Sequence, residues 1–323
     1  MASARRVAGS EVRPRYLIFG AAGHIGGPCA EALQAVEGPG ALRLASSRDE
    51  GAEALRDRFP GAQVVRADMT DLASMVQAVR GVDAVFIVTP DFFDDRRGAQ
   101  ILLEACARAG AAPHVVRIQA EIPSVGVEDL PGVLGDPIGR RGHLEARALI
   151  SASTLPATFL NVFGYYMDDF AIHFGEGLRR DRVLLVPYDR PMTFIDPAEL
   201  GEAAAAVMRA PPHDAPRLIH LNNGEDGRLF TEVARLIGEA VGAPILYQDD
   251  AEAFRAAIGP MLQAMTGRAD AADYLLADWR MERAHGALYN GTPDLAALLG
   301  RAPRSLRAWL DANAAALRPG AAG

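Results

Sequence analysis

The chain has 323 residues, half of them hydrophobic and 7% aromatic, with a formal net charge of -8. That length supports one large domain or two intimate ones with a real core, and arginines scattered through an acidic chain argue against a nucleic-acid surface. Two cysteines, Cys29 and Cys106, make no disulfide framework, and no apolar stretch reaches the roughly 18 residues that cross a bilayer.

The opening "MASARRVAGSEVRPR" carries charge without an apolar run, so it is not a signal peptide. Residues 1–14 are expected to be a flexible arm, and the chain to be cytoplasmic, with no membrane or nucleic-acid partner. There is no lysine: all 33 Lys+Arg residues are arginine. Schiff-base and lysine-ammonium chemistry are therefore closed to it.

In chain order, the strand candidates are 15–20 (RYLIFG), 41–47 (ALRLASS), 63–67 (QVVRA), 84–89 (AVFIVT), 114–120 (HVVRIQA), 157–162 (ATFLNV) and 217–222 (RLIHLN). Helix-period stretches at 24–37, 50–58, 71–80, 96–109 and 141–152 lie between them. Several strand runs are apolar nearly throughout, as strands covered on both faces should be. Such alternation predicts right-handed βαβ units and an α/β fold, a doubly wound parallel sheet. Asp71 and Asp196 are placed to cap helices, and Gly81 and Gly110 to close them. The Pro/Gly-rich stretch "EIPSVGVEDLPGVLGDPIGRRG" reads as a long functional loop. From 164 on, helices dominate, with short strands near 183–186, 193–195, 217–222 and 245–247. The domain reading is a dinucleotide-binding unit at 15–163, with returns to it near 193–223, and a smaller, mainly helical substrate lobe at 164–323.

Between the first strand and first helix stands "GAAGHIGG", with the spacing Gly20-x-x-Gly23-x-x-Gly26. Gly20 would permit the sharp turn, Gly23 the close approach of a pyrophosphate, and Gly26 tight packing of helix on strand. Gly20, Ala22, Gly23, His24 and Ile25 are candidate cofactor-binding residues, the free N–H groups at the helix start holding the phosphates. The second strand runs into Ser46, Ser47 and Arg48 before any acid, Asp49, appears. Ser47 and Arg48 suit the 2′-phosphate of NADP(H) better than the bare ribose of NAD(H). Asp68 and Met69 follow the third strand, where an adenine would lie. Val88, Thr89 and Pro90 follow the fourth, beside the cofactor's middle.

These pieces resemble the atypical short-chain dehydrogenase/reductases, specifically the NmrA-like group with its Rossmann fold. The marks are "GAAGHIGG", "RADMTDLASMVQAVRGVDAVFIVTP", "GHLEARALISASTLPATFLNVFGYYMDDF", "MTFIDPAELGEAAAAVM" and "LLGRAPRSLRAWLDAN". Thr154 stands where that group usually has Gly, and Asn161-Val162 where it has Arg-Pro. The resemblance implies NADP(H) and, in some members, reduction of quinones, iminium-like cations, dyes or conjugated double bonds; other members are redox-sensing regulators.

A Tyr-x-x-x-Lys pair cannot exist here. His143 occupies the helix position where relatives often carry Lys, and is a candidate for nicotinamide-ribose binding or proton donation. Tyr165 and Tyr166 are the other candidate proton donors. Gln119 is expected to reach the cofactor, and Glu121, Phe163, Tyr165, Tyr166 and Asp168 the substrate, which the aromatics suggest is flat and apolar. Asp168 and Asp169 could instead be plain helix caps. Scattered histidines without ligand spacing give no metal site. The leading expectation is an NADPH-dependent reductase of an aromatic or polycyclic quinone, enone or iminium. An NADP(H)-sensing regulator and a non-redox isomerase or lyase are the alternatives. The sequence leaves the assembly open, a homodimer included.

Overall fold

The apolar runs pair into a parallel sheet in the computed structural model, which describes residues 15–162, 164–210, 216–285 and 290–318. The expected arm at 1–14 and the pocket candidate Phe163 lie outside the described residues. The strands are β1 (Tyr16–Ile18), β2 (Leu42–Ser46), β3 (Gln63–Arg66), β4 (Ala84–Ile87), β5 (His114–Gln119) and β6 (Ala157–Val162). Two-residue β7 (Tyr165–Tyr166) pairs with β9 (Phe194–Ile195), and β8 (Val183–Leu185) with β11 (Leu246–Gln248); β10 is Arg217–Leu221. The seven-stranded sheet runs β10-β6-β5-β4-β1-β2-β3, every pairing parallel. Strand order reverses between β1 and β4. In a doubly wound sheet the crevice beyond the carboxyl ends of those two strands is where ligands dock.

Helices cover both faces: α1 (Gly26–Glu37), α2 (Asp49–Arg58), α3 (Leu72–Ala78), α4 (Asp95–Ala109), α5 (Arg140–Ser151) and, after the short α6 (Asp169–Ile172) and α7 (Gly175–Arg180), α8 (Pro197–Arg209). Successive strand residues point to opposite faces. Ile18, Leu44, Phe86 and Val116 join Cys29 and Leu33 of α1 and Leu200 of α8 in one core. Leu17, Val85, Ile87 and Val115 join Met75, Leu102 and Ile150 in the other. The expected caps form: Asp71 accepts from the amides of Ala73 and Ser74, and Asp196 from that of Ala198. Gly110, in the left-handed region, ends α4, whereas α3 ends at Ala78, three residues before Gly81.

The remaining helices are α9 (Phe230–Val241), α10 (Ala251–Thr266), α11 (Ala271–Ala284), α12 (Asp294–Leu299) and α13 (Leu306–Leu317). A third core gathers Phe170, Phe174, Phe194, Phe230, Phe254, Trp279 and Trp309 from this part of the chain. Leu295 of α12, by contrast, packs into the sheet core beside α8. Ionic bonds hold the helical part to the sheet. Arg140 pairs with Asp278 and Glu282 of α11, and Arg190, fully buried, shares Glu282 at 2.8 Å. No helix among the described residues is long and apolar enough to cross a membrane.

Gly201 of α8 lies against the first turn of α1. A Cβ there would come within 2.6 Å of the Ile25 carbonyl and 2.7 Å of the Cys29 nitrogen. Backbone cannot yield as a side-chain tip can, so Gly201→Ala should lower stability by about 1–3 kcal/mol, the usual cost of overpacking. Urea denaturation measures it, and an unchanged midpoint would refute the close contact.

Candidate functional site

The glycine turn sits at the reversal point. Gly20 has φ +71°, and a Cβ on it would meet Val88 Cγ1 at 2.5 Å, so the ends of β1 and β4 touch there. Gly26 opens α1 with its Cα so close to the turn that a Cβ would lie 2.3 Å from the Gly20 carbonyl oxygen. Gly23 is looser: its Cβ would stand 3.3 Å from the same oxygen. The Gly23 amide donates to Gly20 O and the Gly27 amide to Gly23 O. Ile25, at the N-cap, supplies no side-chain cap, and the first turn of α1 holds no acid. Ala22, Gly23 and His24 are exposed above it. An uncapped helix start with its positive dipole end in a cradle of glycines fits a pyrophosphate. Buried Cys29 lies under the turn, its thiol pushed up in pKa by burial.

At the end of β2, Ser47 and Arg48 are exposed. The nearby acid, Asp49, is taken: Arg66 donates to it at 2.5 Å. That pair is a surface one, the Asp49 side chain being 85% exposed, and Arg48 beside it faces solvent. Asp68 Oδ1 accepts from Thr70, through its amide at 2.8 Å and its hydroxyl at 2.7 Å. Met69 is half-buried beside it, as are Val88 and Thr89; Pro90 is exposed.

Thr89, Gln119 and His143 come together, through two residues that sequence reasoning missed. Thr89 Oγ1 donates to Asp95 Oδ1 at 2.8 Å, and Asp95 is ion-paired to Arg117 of β5, both side chains 2% exposed. Arg117 Nη1 also reaches His143 Nδ1 at 3.2 Å. A guanidinium only donates, so Nδ1 accepts and the ring proton sits on Nε2, 3.7 Å from Asp95 Oδ2. Burial, with Arg117 and Arg140 nearby, pushes the His143 pKa down to about 4 despite Asp95. His143 is therefore a neutral imidazole at pH 7, turned into the network. Gln119 accepts from Arg117 and spends its amide on Glu121 Oε1 at 2.5 Å and the His143 carbonyl at 3.0 Å. Arg147, one turn beyond His143, donates to Glu121 Oε1 at 2.6 Å. Asn161 fixes the Glu121 backbone from both sides, at 2.8 and 3.0 Å. A lone arginine among Val115, Val116 and Ile118 was the signal for this network, because a buried charge demands a partner.

The tyrosines part company. Alternation along β7 sends Tyr165 into the helical core, edge-on to Phe230 at 5.1 Å and beneath Arg190, whose Nη2 donates to its hydroxyl at 3.3 Å. Tyr166 faces the glycine turn, its ring 5.2 Å from that of His24. Burial raises the pKa of both phenols. Asp168 stands at the N-cap of α6 but makes no cap bond; its Oδ2 meets His24 Nδ1 at 2.7 Å instead. Its other oxygen, Oδ1, is buried and has no hydrogen-bond partner. Buried Asp169 pairs with His173 at 2.9 Å. Among the described residues, no group of three or more His, Cys, Asp or Glu is arranged to hold a metal ion.

The chain and its fold resemble known proteins. Over 94% of its length the chain is 27% identical to 99% of the (4-alkanoyl-5-oxo-2,5-dihydrofuran-3-yl)methyl phosphate reductase of Streptomyces griseus. The Escherichia coli NADPH-dependent quinone oxidoreductase in complex with NADPH superposes with a TM-score of 0.74 at 20% identity, over 92% of this chain and 99% of that one. The Citrobacter triphenylmethane reductase complexed with NADP(H) gives 0.72 at 20%, over 93% and 99%. The NmrA-like family model matches residues 14–266, and the chain belongs to that family.

Proposed function

We propose that the chain is an NADPH-dependent reductase that delivers hydride to an apolar, self-activated electrophile: a quinone, an enone, an iminium or a cationic dye. The observation that carries it is the uncapped, glycine-cradled start of α1 at the strand-order reversal, with Ser47 and Arg48 exposed at the end of β2. The related reductases support the same reading. Bound there, the dinucleotide would supply the hydride.

The chain's own residues do the rest. Gly20, Ala22, Gly23, His24 and Ile25 hold the phosphates, and Ser47 and Arg48 the 2′-phosphate. Asp68 and Met69 flank the adenine. Val88, Thr89 and Pro90 line the middle, backed by Gln119 and His143 through the network with Arg117. Thr89 and His143 are fixed through Asp95 and Arg117, so the carboxyl ends of β4 and β5 form a rigid floor. Tyr166 and Asp168, with Glu121, bound the substrate side. Neutral His143 and a phenol with raised pKa are both weak proton donors at pH 7. The acceptor must therefore carry its own electron deficiency and take its proton late. A ketone that needs a strong acid in the transition state is a poor substrate.

The absence of any lysine to tune a tyrosine also favours a second reading, an NADP(H)-sensing protein without turnover. Absorbance of NADPH against a panel of quinones, enones, azo dyes and triphenylmethane dyes separates the two. Oxidation with at least one acceptor is expected; tight NADPH binding with none would favour the sensor. Arg48→Ala should weaken NADPH about ten- to a hundredfold and leave NADH unchanged, since a hydrogen bond to a charged group contributes about 1.5–3 kcal/mol. Equal loss for both nucleotides would remove Arg48 from the 2′-phosphate.

A further inference from the structure

The pair formed by His24 and Asp168 joins two segments 144 residues apart, the glycine turn and the stretch after β7. His24 lies between Gly23 and Gly26, and its side chain is 42% exposed even with Nδ1 bound to Asp168 Oδ2 at 2.7 Å. That bond leaves the Nε2 edge as the donor for whatever occupies the turn. On the other side of the pair, Asp168 Oδ1 is buried without a donor. A buried carboxylate oxygen left unpaired costs about 1–3 kcal/mol or more and calls for an explanation. A charged Asp168 beside Nδ1 favours the imidazolium, whose Nε2 then donates to an anionic ligand oxygen, which a pyrophosphate presents.

We propose that His24, held by Asp168, clamps the dinucleotide, its imidazolium Nε2 donating to a pyrophosphate oxygen. The clamp rests on the dinucleotide reading above and adds a consequence to it. Asp168 follows Tyr166 by two residues, and the Tyr166 ring leans on His24. Filling the turn therefore fixes the wall against which the substrate lies. In a chain without lysine, His24 is the one cationic side chain within "GAAGHIGG".

The charges around His24 set how it titrates. Asp168 raises its pKa above the ordinary value, Asp169 adds to that, and burial and His173 oppose it. Asp91, from the loop after β4, also feels His24 and His173. A raised pKa means that the proton is held below it and released as pH climbs through it. Dinucleotide affinity should therefore be full in mildly acidic buffer and decline through and above neutrality.

The test is the Kd of NADPH by calorimetry from pH 6 to 9 for the full chain, His24→Gln and Asp168→Asn, with thermal melts to confirm folding. For the unsubstituted chain the affinity should fall about tenfold or more across that range. His24→Gln should bind weakly at every pH, with only the slope of the nucleotide's own 2′-phosphate. Asp168→Asn should weaken binding throughout and move the midpoint down toward the ordinary histidine value of about 6.5. A flat profile in the unsubstituted chain, or one shared unchanged by His24→Gln, overturns the clamp and leaves the reductase reading standing. No NADPH binding at any pH overturns both.

Discussion

Asp95→Ala is expected to destabilise the fold by about 3–5 kcal/mol, the cost of leaving a buried charge without its partner. Arg117 is 2% exposed and sits in β5, whose six residues are all buried. Its nearest counter-charge is Asp95; its remaining contacts are the Ile118 carbonyl at 2.9 Å, the Gln119 side-chain oxygen and His143. Neither Thr89 nor His143 could replace the carboxylate, one being a hydroxyl and the other a neutral ring. Urea denaturation of the substituted chain would show the loss as a lower midpoint. The double replacement Asp95→Leu with Arg117→Met removes both charges and should recover most of it. A loss below about 1 kcal/mol for Asp95→Ala would mean that Arg117 finds another anion, and Glu121 is the one within reach of its field.

The second large effect separates two glycines, three residues apart, that their spacing alone would treat alike. Gly26→Ala places a methyl carbon 2.3 Å from the Gly20 oxygen and 2.5 Å from its carbonyl carbon, so α1 itself must move. Stability should drop by about 1–3 kcal/mol, and NADPH affinity should fall with it. Gly23→Ala meets the same oxygen at 3.3 Å, which a shift of a few tenths of an ångström relieves. That chain should fold with less than about 1 kcal/mol lost, the ordinary scale of a glycine replacement. Its methyl would nevertheless stand over the turn, where a phosphate needs bare backbone, and affinity should fall at least tenfold. Denaturation midpoints and calorimetric NADPH titration on both chains check this. Wild-type affinity in folded Gly23→Ala would refute the phosphate assignment at the turn.

The fold was legible because its signals are local. "YLIFGAAGHIGG" and the caps at Asp71 and Asp196 each fit within a dozen residues, and each formed as expected. The site was legible only in pieces. Thr89, Gln119 and His143 could be named one by one, but their connection runs through Arg117 and Asp95. Asp95 reads as one more acid at a helix start. In the structure Asp94 does the capping, accepting from the Arg97 amide, and Asp95 turns inward. Asp168 was read as a pocket residue or a cap, and it reaches back to His24 across a separation that no spacing rule spans. The inward turn of His143 followed from the same blindness: helical position alone does not reveal that a guanidinium waits beneath the ring.

Two adjacent phenols serve different cores because β7 is only two residues long and its register against β9 is fixed, Tyr165 opposite Phe194 and Tyr166 opposite Ile195. Losing or gaining one residue between β6 and β7 would exchange them, since every single-step slip inverts a strand's faces. The ring that fills the helical interior would swing out over the phosphate turn, and the one beside His24 would be driven under Arg190. A one-residue change in that connection should therefore do far more damage than one in a surface loop.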